Sequence, residues 1–276
     1  MKQASALFVG NTRHVEFRHV ATWLEQHANM IHTKTLADAR KQCLLSKTGF
    51  DIIVVGASRP YQYLTKDINT LRQAAPLSRL LALLGSWCEG ELRSGHPWPG
   101  VYRTYWHQWP ARLGPELDKL MKGQCPVWGH ALTMTPAEEI LYRQKQSAPL
   151  TSGLVVVHAA DREAVGSLRD ACQHLGYATV CSHGKQPLEI HGATAIVLDL
   201  RLCNEIDWQQ LHKLSQHYRP TPLLVTLSFP RHDVVQQLLS TGAHHVLSKP
   251  FLVQDFAWLL NQITQAAPNV IGQAAA

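Results

Sequence analysis

Ala195-Ile196-Val197-Leu198-Asp199 is an apolar run that ends on a carboxylate. An uninterrupted run of this kind is how a strand buried on both faces reads, and open α/β sheets place their sites at the carboxyl ends of such strands. After a second run, Pro222-Leu223-Leu224-Val225, and a stretch of helical spacing comes Thr241-Gly242-Ala243-His244-His245-Val246-Leu247-Ser248-Lys249-Pro250-Phe251. Upstream, Leu154-Val155-Val156-Val157 leads into His158-Ala159, and Val165, Leu168 and Cys172 follow at helical spacing. Strands alternating with helices predict a parallel sheet with helices wound on both faces.

These residues resemble the receiver domain of two-component response regulators over about Gly153 to Ile263. The resemblance implies a strand-terminal Asp that accepts a phosphoryl group and a Lys-Pro that pairs with it. Asp199 and Lys249 stand at those positions, with Gly242-Ala243 as the helix-to-strand turn. Other family positions are replaced. The acidic pair that holds magnesium is His158-Ala159, and the hydroxyl after the fourth strand falls on Leu227, between Thr226 and Ser228. The aromatic switch residue is Val246, and the Pro after the acceptor is Cys203. This vestigial set predicts an inactive phosphoacceptor, with Asp199 and Lys249 as an ion pair. Magnesium is expected only if the second domain is an active receiver, and no other cofactor is implied.

The first half repeats the pattern. Leu7-Phe8-Val9-Gly10 reads as a first strand, followed by Phe17, Val20, Leu24 and Ala28 at helical spacing. Asp51-Ile52-Ile53-Val54-Val55 parallels the run before Asp199 and puts Gly56 at the acceptor position, while Gly10-Asn11 replaces the acidic pair. Leu80-Leu81-Ala82-Leu83-Leu84 supplies the fourth strand, and the segments Gly100–Arg103 and Tyr105–Pro110 are expected to supply the fifth. A repeat of domain size indicates duplication. The fold class is therefore α/β: two tandem flavodoxin-like (βα)5 domains with parallel sheets in the order 2-1-3-4-5. The expected boundaries are 1–122 for the first domain, 123–152 for a linker with a helix opening at Thr135-Pro136, 153–268 for the second domain and 269–276 for a flexible tail.

The 276 residues suit two such domains, each able to bury its own core. No apolar run is long enough to span a bilayer, and the N-terminus reads as a strand rather than a signal peptide. Six cysteines form no Cys-x-x-Cys pair, which argues against a zinc cluster or a disulfide framework and for a reducing cytoplasm. The charge is uneven. Residues 1–125 carry 16 Lys and Arg against 9 Asp and Glu, while 151–276 carry 8 against 9. A basic first half can steer toward nucleic acid or an acidic protein.

Four of the eight tryptophans, Trp87, Trp98, Trp106 and Trp109, lie between Gly85 and Pro110 among Arg103, Glu89, Glu91, His96 and His107. Gly90, Gly95, Pro97, Pro99 and Gly100 break any helical period there. Long irregular loops are more often functional than idle, and Trp and Arg dominate binding hot spots. Trp87, Trp98, Arg103, Trp106 and Trp109 are thus the candidate partner-binding residues. Cys88 beside Glu89 and His107 carries no spacing that fixes a nucleophile, and His244-His245 would point to opposite faces of a strand. The sequence predicts a non-enzymatic cytoplasmic signalling or scaffold protein that binds protein partners largely without phosphorylation. A homodimer is compatible with this, and no membrane is involved. The alternatives are a phosphorelay regulator using Asp199 and a nucleic-acid-binding regulator using the basic, Trp-rich first domain.

Overall fold

The computed structural model describes residues 3–46, 48–91, 95–129, 138, 153–183 and 186–266. The chain divides into two compact units, Met1–Ile140 and Leu141–Ala276. The first contains β1 (Ala4–Val9), α1 (Arg18–His27), β2 (Ala28–Thr33), α2 (Leu36–Leu45), β3 (Ile52–Ala57), α3 (Thr65–Ala74), β4 (Arg79–Leu84), β5 (Tyr102–Tyr105) and α4 (Trp109–Met121). Its five strands are all parallel, in the order β2-β1-β3-β4-β5.

Both faces of that sheet are covered, which explains the unbroken apolar runs. Leu7, Val9, Ile53 and Val55 pack on one face with Ile68 and Leu71 of α3 and Ala39 of α2. Phe8, Val54 and Leu83 pack on the other with Val20 and Leu24 of α1 and Leu113 and Leu117 of α4.

The second unit contains β6 (Leu154–Ala159), α5 (Arg162–His174), β7 (Ala178–Ser182), β8 (Ala195–Asp199), α6 (Glu205–His217), β9 (Leu223–Ser228), α7 (His232–Thr241), β10 (His245–Lys249) and α8 (Val253–Ala266). Its parallel sheet runs β7-β6-β8-β9-β10, the same 2-1-3-4-5 order. Helices α5 and α8 cover one face through Leu168, Phe256 and Leu260, and α6 and α7 cover the other through Leu211, Leu214 and Leu238. Gly242 ends α7 at φ +122°, where a Cβ would lie 2.8 Å from the Ser215 side chain, so the turn into β10 needs glycine.

Three expectations are corrected. The fifth strand of the first unit stops at Tyr105; Trp106–Gln108 form a single 3-10 turn, and Trp109-Pro110 open α4, where proline suits the first turn. Ala28 begins β2 rather than ending α1. The linker does not start at residue 123, because Trp128 is buried in the first unit's core with its ring edge-on to Tyr102, and Arg79 donates to the Gly129 carbonyl at 2.8 Å. The helix expected after Thr135 and the tail 269–276 lie outside the described residues.

Trp98 is 9% exposed and Trp109 1%, each within one of the two cores of the first unit. Replacing a buried aromatic of this size by alanine removes its transfer energy and leaves a cavity. Trp109→Ala is therefore expected to destabilise the chain by roughly 3–5 kcal/mol, and Trp98→Ala to do so by a smaller amount, both measured by urea unfolding followed by circular dichroism.

Candidate functional site

In parallel α/β sheets side chains can converge at the carboxyl edge, where strands end and loops begin. In the second unit that edge holds Asp199, the last residue of β8, paired in register with Ala159 on one side and Thr226 on the other. Its carboxylate is nearly enclosed. Oδ1 accepts from Lys249 Nζ at 2.6 Å and from Thr226 Oγ1 at 2.6 Å, and the same ammonium donates to the Leu200 carbonyl at 3.2 Å. The Asp199 side chain is 3% exposed and that of Lys249 27%, so the pair interacts with little screening on one side. The sequence reading brought Asp199 and Lys249 together correctly, but it placed the hydroxyl position on Leu227 and so found it empty. Leu227 belongs to the hydrophobic core; the hydroxyl comes from Thr226, which alternation along β9 turns toward Asp199.

His158 is fully buried and lies on the opposite face of β6 from Ala159, against Tyr218 of the α6 side. Its Nε2 is 3.1 Å from the Tyr218 hydroxyl, which also accepts the Leu188 N–H at 2.9 Å. Burial, and secondarily the charge of His217, lowers its pKa to about 4. Asp161, the next carboxylate along, is occupied as the N-cap of α5, accepting the Glu163 N–H at 2.9 Å. Among the described residues no group of three or more His, Cys, Asp or Glu side chains could hold a metal ion. The residues around Asp199 therefore do not fit magnesium, which needs several organised oxygen ligands. Val246 is half-buried against the same core as Leu227 and has no polar atom to follow a phosphate.

The first unit's edge is built differently. At the acceptor position stands Gly56, packed under Phe17 and Phe8: a Cβ there would lie 3.1 Å from the Phe17 ring, so a side chain would have to push that ring aside. A buried carboxylate at this edge comes instead from Glu16, in the loop after β1, which the sequence reading missed because no local motif marks it. Glu16 is 6% exposed; its Oε1 accepts from the Ser86 N–H at 3.1 Å and the Ser86 hydroxyl at 2.6 Å, and Trp106 Nε1 donates to that same hydroxyl at 3.0 Å. Two further ties follow: Glu89 Oε1 lies 3.3 Å from His107 Nε2, and Glu91 pairs with Arg103.

The Trp-rich loop is thus clasped onto its own unit. Trp98 and Trp109 are core, Trp106 is half-buried and hydrogen-bonded, and Arg103 is engaged inward; this corrects their assignment to a partner surface. Trp87 alone of the five residues remains prominently exposed, at 72%. Cys88 is buried, and desolvation, then the nearby Glu91, pushes its pKa up to about 12, so it stays a thiol and not a nucleophile. His244 and His245 are both lowered by burial, and His244 Nδ1 accepts the Leu223 N–H at 3.1 Å.

Topology defines the fold class: two α/β units, each with a five-stranded parallel sheet in the flavodoxin-like 2-1-3-4-5 order. No protein-family model matches the chain, and no curated protein sequence matches it. Among solved structures the chain is similar to the receiver domain of the Francisella response regulator 1452, at 16% identity over 41% of this chain and 97% of that one, with a TM-score of 0.37. It is also similar to full-length FixJ from B. japonicum, at 18% identity over 43% and 61% with a TM-score of 0.37. A response regulator from Thermotoga maritima is similar at 14% identity over 42% and 100% with a TM-score of 0.36. No helix among the described residues is long and apolar enough to cross a membrane.

Two outcomes follow from this geometry. His158 is neutral when folded and protonates at pH 6.5 when unfolded, so the unfolded chain binds more protons between those values. Its contribution is complete above pH 6.5 and is lost as pH falls toward about 4, on the order of 3 kcal/mol in total. His158→Phe should flatten that part of the stability–pH curve from urea melts. Lys249→Met leaves Asp199 with one donor and is expected to destabilise the second unit by about 1–3 kcal/mol, whereas Lys249→Met combined with Asp199→Leu should recover much of that loss in a double-mutant cycle.

Proposed function

We propose that the chain is a cytoplasmic signalling adaptor whose two receiver-like units bind protein partners without needing phosphorylation, acting by binding rather than by catalysis. The observation that carries this reading is the state of Asp199: its carboxylate is already paired with the Lys249 ammonium and hydrogen-bonded by the Thr226 hydroxyl, with Ala159 beside it where a metal-binding acid would stand. Phosphoryl transfer to a carboxylate requires the charge on the transferring oxygens to be offset, ordinarily by a metal ion as well as a lysine. One ammonium, committed to the acceptor itself, supplies only part of that. The first unit, with Gly56 under Phe17, lacks an acceptor at that position.

A second reading, phosphoryl acceptance at Asp199, is favoured by one observation: a hydroxyl and an ammonium converge on the carboxylate, and both could turn to a bound phosphoryl group. The two readings separate in one experiment. On incubation with acetyl phosphate and magnesium, intact-mass spectrometry is expected to find no added phosphate, and a partner complex is expected to form equally with the natural chain and with Asp199→Asn. Stoichiometric phosphate that disappears in Asp199→Asn, or partner binding that requires beryllofluoride, would replace the first reading by the second.

A further inference from the structure

Three loops of the first unit meet at its carboxyl edge, following β1, β3 and β4, which are neighbours in the sheet. They touch: Glu16 of the first loop holds Ser86 of the third, and Gly85 lies so close to Ser58 of the second that a Cβ would be 3.0 Å from its backbone. The acids and bases of these loops are sorted by direction. Glu16, Glu89 and Glu91 face inward and are taken up by Ser86, His107 and Arg103. Arg13 and Arg59 are exposed on the same loops, and so are four large apolar side chains, Val15, Tyr61, Leu64 and Trp87, each more than half exposed. Tyr61 is held there at φ +59°, a backbone conformation uncommon for a residue with a side chain. Burying the acids leaves a surface that is apolar and cationic, on the half of the chain that carries the whole excess of basic residues.

We propose that this edge is a docking surface for a protein segment that combines apolar side chains with Asp and Glu. The inference rests on the adaptor reading and gives its partner a chemistry. Charge complementarity selects an acidic occupant. A tryptophan and arginines among apolar neighbours match the composition of hot spots. Single-stranded nucleic acid would use stacked aromatics along a cationic groove, and Val15 and Leu64 offer it little.

The test uses the full chain and fluorescein-labelled peptides: one alternating Glu with Leu and Phe, one with Lys in place of Glu, and an oligothymidine. Anisotropy titrations are expected to show binding of the acidic peptide alone, weakening with salt. Trp87→Ala is expected to lower its affinity about ten- to a hundredfold. Arg59→Glu should also weaken it, while Leu77→Ala, exposed at the opposite edge, should leave it unchanged. Equal binding of both peptides, no binding, or indifference to Trp87→Ala and Arg59→Glu overturns the surface. Tighter oligothymidine binding that is lost in the same variants overturns it in favour of nucleic acid. A partner complex that persists in Trp87→Ala removes this surface while leaving the adaptor reading standing; only dependence on phosphorylation or beryllofluoride removes that.

Discussion

Covering both faces of a parallel sheet with helices is the constraint from which each unit follows. Every central strand must then be apolar on both sides, so polar chemistry is driven to the carboxyl edge, where carboxylates arrive partly stripped of water. A carboxylate in that position needs donors, since leaving it unpaired costs more than pairing it yields. The two units meet the same requirement in different ways. In the second, Asp199 is answered by a threonine from the adjacent strand β9 and a lysine from β10, one strand further on. In the first, Glu16 enters from a loop and is answered by a serine from another loop.

That difference explains why one edge keeps the outline of a phosphoacceptor and the other has become a clasp. Strand-end residues are fixed by sheet register, so Asp199, Thr226 and Lys249 stay within reach whatever the surrounding loops do. Loop residues have no such register. Glu16 therefore fixes the long connection after β4 only because Ser86, His107 and Arg103 share the work, and Trp98 inserts into the core behind them. The loop's irregularity comes from anchoring, with aromatic mass directed inward and charge pairs closing over it.

The central strands and the sheet order were legible because β1, β3, β4, β6, β8 and β9 each contain an apolar run of three or more residues. The edge strands β2 and β7 were not. Ala28–Thr33 and Ala178–Ser182 mix polar with apolar residues and carry exposed positions, so neither has a run to detect, and β2 follows α1 without an intervening turn. Asp199 and Lys249 were legible from strand ends and spacing. Thr226 was misplaced by one residue, and on a strand one residue reverses the face. Trp98 and Trp109 misled because composition marks a tryptophan as capable of binding but says nothing about which way it points. Glu16 could not be read, since its importance arises from contact with a loop 70 positions away.

Gly85 makes that contact achievable by what it lacks. A methyl group on its Cα would stand 2.4 Å from Glu16 Oε2, and the nearby Ser58 backbone leaves little room to yield. The mutational tolerance of the loop is therefore steeply graded along a few residues. Trp87 is 72% exposed and carries its ring outside the core, Gly90 meets no neighbour but is held to glycine by its φ of +87°, and a side chain at position 85 must displace the Glu16 carboxylate or the Ser58 backbone. The exposed side chains of this edge thus stand on a segment whose placement depends on a residue with no side chain at all.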